Sequence, residues 1–495
     1  MAATTASRIA AVARRWFGIG QLRPEQEEAI GAVLDGRDTL VVLPTGFGKS
    51  LVYQIPALLL ERPTVVVSPL IALMRDQERS LRSRGVPVAR LDSTLRAESR
   101  RQVIARIRKG GRMILLTTPE TLQSVDARPA IAEARPALMC IDEAHCISEW
   151  GHDFRPAYLR LGREREALGI PTVLALTATA TPRVRRDIAT RLGMVEPALV
   201  IAPPHRPNLR FAAHHAEGGL KIELAGRLIR TLPRPAIVYC ATTRAVDEIH
   251  RALQRARIPS ARYHGAMGTE ERRIAQRKFM RGGHRLVMVA TSAFGMGIDK
   301  PDIRTILHFQ VPGSLEQYVQ EAGRAGRDGR PSDCVLLFDP ADLGIQEFLQ
   351  RTSRPRASQL RRLTEALAAW AEEKRPVSPK DLALSAAVPV STCRSLAGEL
   401  EQLGLVEVDH EARLVARVAP DELRAAAGDL AARFETLRRE DQRRLLAIAD
   451  YALTEDCRSA FIRRWFGEPD APACGRCDRC RARAVALSGW AEKAL

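Results

Sequence analysis

"TLVVLPTGFGKSLVYQIPA", residues 39–57, joins an apolar run to a glycine-rich turn and then to a second apolar stretch. The β-branched run Thr39-Leu40-Val41-Val42 reads as a short buried strand. Gly46, Gly48, Lys49 and Ser50 then form a loop whose backbone N–H groups can face phosphates at the start of a helix. In that reading Lys49 meets the β- and γ-phosphates, Ser50 holds Mg2+, and Thr45, Gly46 and Gly48 shape the cradle. The full phosphate-loop pattern asks for glycine at position 43, where the chain has Leu43. A plain strand-to-helix turn could use the same glycines, so the residues further on must decide.

Similar strands recur outward from this stretch. "TVVVSP", "MILLTTP", "ALMCIDE" and "VLALTAT" alternate with helical patterns, and "AIVYCAT", "ARYHGAM", "LVMVATS", "TILHFQV" and "CVLLFDP" repeat the texture. Such β-branched runs between helices predict two parallel sheets. The joint between them is expected at "APPHRPNLRF", residues 202–211. From residue 351 onward the chain is rich in Ala, Leu, Arg and Glu and is expected to be mostly helical.

The 495 residues carry 76 Lys and Arg against 58 Asp and Glu, a net charge of +18, which makes a polyanion a natural partner. No run reaches the roughly 18 apolar residues of a membrane span. The start lacks the apolar region and cleavage pattern of a secretion signal, so a cytoplasmic location is expected, nucleoid-associated in a bacterium.

In "CIDEAHCISEWGHDFRPAY", residues 140–158, an acid pair follows the strand at the edge where ligands gather in open α/β sheets. Asp142 can hold Mg2+, and Glu143 can orient and activate the attacking water. Nucleotide hydrolysis needs both roles, which gives the glycine loop its purpose.

At this point the chain resembles the RecQ-type DNA helicases of superfamily 2, over roughly residues 8–345 and 440–480. "FGIGQLRPEQ" is similar to the family's adenine-reading motif, with Arg23 and Gln26. "PTGFGKS" resembles its phosphate loop, "SPLIALMRDQ", with Arg75, its early DNA motif, and "DEAH" its Mg2+ and water site. "CISEWGHDFRP" resembles its aromatic-rich loop, and "ALTATAT" the motif that follows. "ATSAFGMGIDKPD", with Asp299, and "YVQEAGRAGRDG" resemble the nucleotide-facing motifs of the second core domain. The resemblance implies that Trp150, His152, Phe154 and Arg155 touch single-stranded DNA and report it to the ATP site. Aromatic faces stack on bases at roughly 1–3 kcal/mol each; the same aromatics could instead be core anchors. Arg324 and Arg327 resemble arginine fingers, whose forks suit the charge developing on a γ-phosphoryl group. Two departures stand out: Ile19 replaces an aromatic that would stack on adenine, a role open to Phe17, and Phe47 replaces a glycine in the phosphate loop.

Cys457, Cys474, Cys477 and Cys480 have the spacing of a closed four-thiolate Zn2+ site, and the same spacing resembles the RecQ zinc module. An iron–sulfur cluster accepts the same ligands. Seven arginines against three carboxylates from Cys457 to Arg483 suggest that this region also binds phosphates. Cys140, Cys146, Cys240, Cys334 and Cys393 are expected to be buried.

"SPKDLALSAAVPVSTCRSLAGELEQLGLVEVDHEARLVARV" reads as helix, turn, helix and a two-stranded wing, inserted before the cysteines rather than after them. Arg394, Arg413 and Arg417 stand among several acids there, which leaves a DNA-separating wing and a packing or protein-contact module equally open. No further domain is expected after "CRARAVALSGWAEKAL".

The expected fold class is therefore α/β: two RecA-like parallel-sheet domains, then a mostly helical C-terminal region with an inserted winged-helix module and a zinc-binding module. The expected boundaries are 1–205 and 206–350 for the core domains, 351–440 for the insert, 441–483 for the zinc module and 484–495 for the tail. The implied activity is ATP-driven 3′-to-5′ movement on single-stranded DNA with duplex unwinding, in repair and recombination. ATP, Mg2+ and Zn2+ are the cofactors. Single-stranded and forked DNA is the partner, with no membrane, and with single-strand-binding or repair proteins as unspecified further partners. An RNA-remodelling ATPase and a non-enzymatic DNA-binding scaffold are the alternatives.

Overall fold

The computed structural model describes residues 4–491, except 152, 296, 297, 299, 354, 355, 410 and 412. Met1–Asp342 and Ala447–Leu495 form one compact unit, and Leu343–Leu446 a second.

The first unit holds two parallel sheets. The first lobe has β1 (Thr39–Val42), β2 (Thr64–Val67), β3 (Val88–Leu91), β4 (Ile114–Thr117), β5 (Leu138–Ile141), β6 (Thr172–Thr177) and β7 (Ala198–Ile201). Their order is β3-β4-β2-β5-β6-β1-β7. The second lobe has β8 (Leu209–His215), β9 (Ala236–Tyr239), β10 (Ser260–Tyr263), β11 (Val287–Ala290), β12 (Thr305–His308) and β13 (Ser332–Phe338), in the order β10-β11-β9-β12-β13-β8.

Helices cover both faces, so the central strands are apolar throughout instead of alternating. Within β1, Leu40 and Val42 enter one core cluster while Val41, with Leu43 just beyond it, enters the other. That alternation is the pleat's two-residue period. Side-chain caps start several helices: Thr181 accepts from the Val184 amide, Thr242 from Ala245 and Ser314 from Gln317.

Strands β3, β7, β8 and β10 depart from the continuous apolar pattern, β10 through Arg262. β3 carries Arg90, β7 is an edge strand with Leu199 and Ile201 exposed, and β8 carries arginine and histidines. The link between the lobes is correspondingly short, because β7 ends at Ile201 and β8 begins at Leu209.

The cysteine-bearing segment rests on both lobes of the same unit. Arg185 of the first lobe donates to the Phe466 carbonyl at 2.8 Å, and Trp465 Nε1 donates to Glu316 of the second lobe at 2.9 Å. The hydroxyls of Tyr318 and Tyr451 lie 3.0 Å apart.

The second unit is helical around a small hairpin. Helix Ala357–Glu372 is followed by Pro379–Ser385, Val390–Gln402 and the antiparallel pair β14 (Val406–Val408) and β15 (Leu414–Ala416). Val377 adds a bridge to Leu414, completing the wing expected from the sequence. The long helix Pro420–Leu453 closes this unit and continues into the first one. Leu363, Leu382, Leu396, Leu400 and Leu423 are fully buried at its centre. Among the described residues, no helix is long and apolar enough to cross a membrane.

Candidate functional site

β1 ends at Val42, and the loop that follows turns on Gly46 (φ 84°) and Gly48 (φ 78°). These left-handed values suit glycine; Phe47 between them keeps a negative φ and tolerates the turn. Leu43 is wholly buried in the core, and its carbonyl lies 3.4 Å from Lys49 Nζ. Burial lowers the Lys49 pKa, and the carboxylates of Glu143 and Asp142 oppose that shift. Ser50 is the N-cap of helix Leu51–Leu59.

Arg23 and Gln26 clasp the loop from outside. Gln26 Nε2 donates to the carbonyls of Phe47 (2.9 Å) and Gly48 (3.2 Å), while its Oε1 accepts from the Arg23 amide at 3.0 Å. The Arg23 guanidinium lies 4.2 Å from the Phe47 ring centroid. Beside the loop, a cavity of about 170 Å³ is lined by Phe17, Ile19, Leu51, Gln54 and Arg84. Phe17 and Ile19 both line this cavity, with Arg84 over the Phe17 ring at 5.6 Å.

β5 delivers the acid pair to the same edge. Asp142 is buried, and desolvation followed by the Glu143 charge pushes its carboxyl up to about 7, against the pull of Lys49. Glu143 adopts φ 51°, ψ 46°, a left-handed conformation costly for a side-chain-bearing residue. His145, not assigned a role from the sequence, has Nδ1 2.9 Å from Thr177 Oγ1 and 3.4 Å from Glu143 Oε2. It therefore joins the acid to the end of β6.

The second lobe brings Arg327 to this loop. A β-carbon placed on Gly46 would lie 3.3 Å from Cγ of Arg327, and one on Gly323 would lie 3.1 Å from Cβ of Thr45. Arg324 is buried deeper in its own lobe, where Nη1 donates to the Gly295 carbonyl. Both guanidiniums contribute to the potential at Lys49. Arg206 and Asn208 of the link, also missed from the sequence, bond the turn that carries these arginines. Asp299 lies outside the described residues.

In the aromatic-rich loop, Trp150 is half-buried against the first lobe's core, and Arg183 covers its ring. Phe154 is half-buried. Arg155 donates to the Pro69 carbonyl at 3.3 Å and to Asp153 at 3.4 Å, which ties the loop to the segment bearing Arg75. Arg75 is exposed and donates to Thr94 Oγ1 at 2.7 Å. His152 lies outside the described residues.

Cys457, Cys474, Cys477 and Cys480 bring one sulfur each within 4.8 Å of the others. The Cys474 amide donates to Cys457 Sγ at 3.1 Å, and the Cys477 and Cys480 amides point at Cys474 and Cys477 Sγ at 3.4 Å. Four soft donors, each able to be a thiolate steadied by backbone N–H groups, fit a closed zinc site. The other five cysteines are buried, and burial pushes their thiols up.

Most of the arginines around this cluster make contacts within the protein. Arg458 is fully buried against Asp478 and the Tyr451 carbonyl. Arg463 pairs with Glu468, Arg464 with Asp456, and Arg476, Arg479 and Arg483 donate to backbone carbonyls. Only Arg458 is fully buried, where an unpaired charge would be costly; Arg464, Arg476, Arg481 and Arg483 stay exposed.

A phosphate loop and an acid pair on one parallel-sheet lobe, met by arginines from a second lobe, define the two-lobed core of helicase-type nucleotide-driven motors. The sequence matches the DEAD/DEAH box helicase family over residues 23–188, the helicase conserved C-terminal domain over 220–329 and the RecQ zinc-binding family over 426–481. It is 35% identical over 468 residues to the ATP-dependent DNA helicase RecQ of Bacillus subtilis (strain 168), covering 94% of this chain and 65% of that protein. It is 39% identical over 358 residues to the ATP-dependent DNA helicase RecQ of Synechocystis sp., covering 69% of this chain and 74% of the relative. The chain belongs to the RecQ family. Mycobacterium smegmatis helicase Lhr, solved with ssDNA and AMP-PNP, shares the fold at a TM-score of 0.57 and 24% identity, over 86% of this chain and 62% of that one. The chain thus spans about two thirds of the length of the B. subtilis relative.

Proposed function

We propose that this chain is an ATP-dependent DNA helicase that moves 3′ to 5′ on single-stranded DNA and opens duplexes ahead of it. The observation that carries the reading is Arg327 of the second lobe lying against Gly46 of the first, beside Lys49 and the acid pair. A cleft walled by two lobes changes when nucleotide is hydrolysed, and a strand held across both lobes is moved by that change.

Lys49 binds the β- and γ-phosphates, and Thr45, Gly46 and Gly48 present backbone around them. Arg23 and Gln26 serve the adenine side together with Phe17. Glu143 takes the proton of the attacking water, Arg324 and Arg327 act from the second lobe, and Asp299 is assigned to nucleotide binding. Ser50 and the buried Asp142 offer hard oxygen donors that suit Mg2+, and a bound Mg2+ neutralises charge on the β- and γ-phosphates. Trp150, His152, Phe154, Arg155 and Arg75 form the single-strand contact. The four cysteines hold zinc and fix the segment that rests on both lobes. Forked DNA is the substrate class, repair and recombination the setting, and the cytoplasm the location. RecQ relatives named as DNA helicases support DNA over RNA.

The test is phosphate release by the purified chain with ATP and Mg2+, alone and with single-stranded DNA or RNA. Stimulation by DNA is expected. No hydrolysis, or stimulation by RNA alone, overturns the reading.

A further inference from the structure

The segment joining the two lobes is more than a tether. Its Arg206 donates through Nη1 to the Gly323 carbonyl at 2.7 Å and through Nη2 to the Gly326 carbonyl. Those two carbonyls bracket Arg324, and the second immediately precedes Arg327. Asn208 Nδ2 donates to the same Gly326 carbonyl at 2.8 Å and to that of Arg330 at 2.9 Å. The fit is close: a β-carbon on Gly326 would lie 2.5 Å from Asn208 Nδ2. One guanidinium and one amide from the link therefore strap the whole turn that carries both arginines.

The same guanidinium reaches the other lobe. Nη1 of Arg206 would lie 3.8 Å from a β-carbon on Gly46, the residue that Arg327 also approaches. Pro44, Thr45, Thr179, Pro204, Arg206 and Gly323 line one small cavity, so phosphate loop, link and arginine turn meet at one place. The link is itself held from behind. Arg476, between two of the cysteines, donates to the Pro207 carbonyl at 2.7 Å, and His205 Nδ1 is 2.9 Å from Ser459 Oγ.

We propose that Arg206 is a positioning residue for ATP hydrolysis: it sets the arginine turn in register with the phosphate loop and acts through Arg327. This deepens the helicase reading and rests on it. A guanidinium fork can bond two carbonyls at fixed spacing while facing the phosphate loop; an ammonium cannot hold that geometry. Because Arg206 sits on the link between lobes, a change in lobe position shifts the point from which the turn is held. Arg327 then meets the γ-phosphoryl group only in the closed register.

Two measurements test this. In steady-state hydrolysis with single-stranded DNA, Arg206→Ala is expected to lower kcat by about 100-fold, the scale of a misplaced catalytic group. Its Kd for a non-hydrolysable ATP analogue is expected to stay within about threefold, since Lys49 and the loop remain. Arg206→Lys keeps the charge and should resemble Arg206→Ala; full recovery by Lys would overturn positioning in favour of plain charge. The double variant Arg206→Ala/Arg327→Ala should be no slower than Arg327→Ala alone, and multiplied losses would overturn the claim that Arg206 acts through Arg327.

Hydrogen exchange without nucleotide provides the second measurement. Amides of residues 324–329 should exchange about tenfold faster in Arg206→Ala than in the wild type, while those of β9 stay protected. Unchanged exchange in the turn overturns the proposal. A wild-type chain that hydrolyses nothing would sink the helicase reading, whereas the exchange result still decides whether Arg206 holds the turn.

Discussion

The guanidinium carbon of Arg183 lies 3.4 Å from the centroid of the Trp150 indole. Trp150 stands in the loop that follows the acid pair, and Arg183 opens the helix Pro182–Arg191 after the next strand. The arginine is exposed and occupies a ring face that a nucleobase could take. An exposed cation–π contact is worth about 0.5–1 kcal/mol, less than the 1–3 kcal/mol of a base stacked on an aromatic ring. If Trp150 contacts single-stranded DNA as proposed, a stacked base outcompetes this contact. Trp150→Ala is expected to weaken single-strand binding by about 5- to 150-fold in an anisotropy titration, the equivalent of that stacking energy. Arg183→Ala should change it far less. Unaltered binding by Trp150→Ala would return the indole to a purely packing role.

Glu143 holds its left-handed backbone beside a buried Asp142. Replacing it by Gln keeps the shape and removes the carboxylate proposed as the base. Turnover should fall by about 100- to 10,000-fold, the range for loss of a general base, with ATP still bound. Wild-type hydrolysis rates in Glu143→Gln would remove this residue from the chemistry.

Phe47 is packed into the turn between Gly46 and Gly48. Its ring lies under Arg23 and packs on the first lobe's core. Phe47→Gly should therefore destabilise the lobe by about 1–2 kcal/mol in chemical denaturation, from lost apolar contact and cation–π energy. The KM for ATP should rise as Arg23 loses its rest. A more stable Phe47→Gly protein would contradict this.

Metal analysis should find one zinc per chain. Cys477 is fully buried among the four sulfurs, so Cys477→Ser should lose the metal and unfold at lower temperature. Zinc should also be released as pH falls, because protons compete for thiolates; retention is expected at neutral pH and loss in acid. Iron in place of zinc would reverse the assignment made from the thiolate set.

The wing's charges are largely internal. Arg413 pairs with Asp409 and Glu411, both at 2.9 Å, and Arg417 pairs with Glu407. Glu399 of the preceding helix is buried against Arg433 at 3.3 Å. Joint reversal of Arg413 and Arg417 to Glu should leave forked-duplex affinity within about twofold and its salt dependence unchanged. A shallower salt slope would show these arginines on phosphates.

Much of this protein was legible along the chain. The phosphate loop, the acid pair and the four cysteines are chemistry carried by neighbours in sequence, where a few bonds fix the geometry. The central strands were legible too, because burial on both faces demands continuous apolar runs. β3, β7 and β8 were not, since an edge or partly solvated strand tolerates Arg90, exposed Leu199 and His214. The sequence also showed how many arginines surround the cysteines, but not that carboxylates and carbonyls already engage most of them.

Partnership across distance was decided only by the tertiary structure. Arg206 meets Gly323, Arg327 meets Gly46, and Arg183 covers Trp150. No local periodicity encodes such pairs: each depends on where separate strands and helices place their ends, and that placement follows from packing two sheets and their helices to close density.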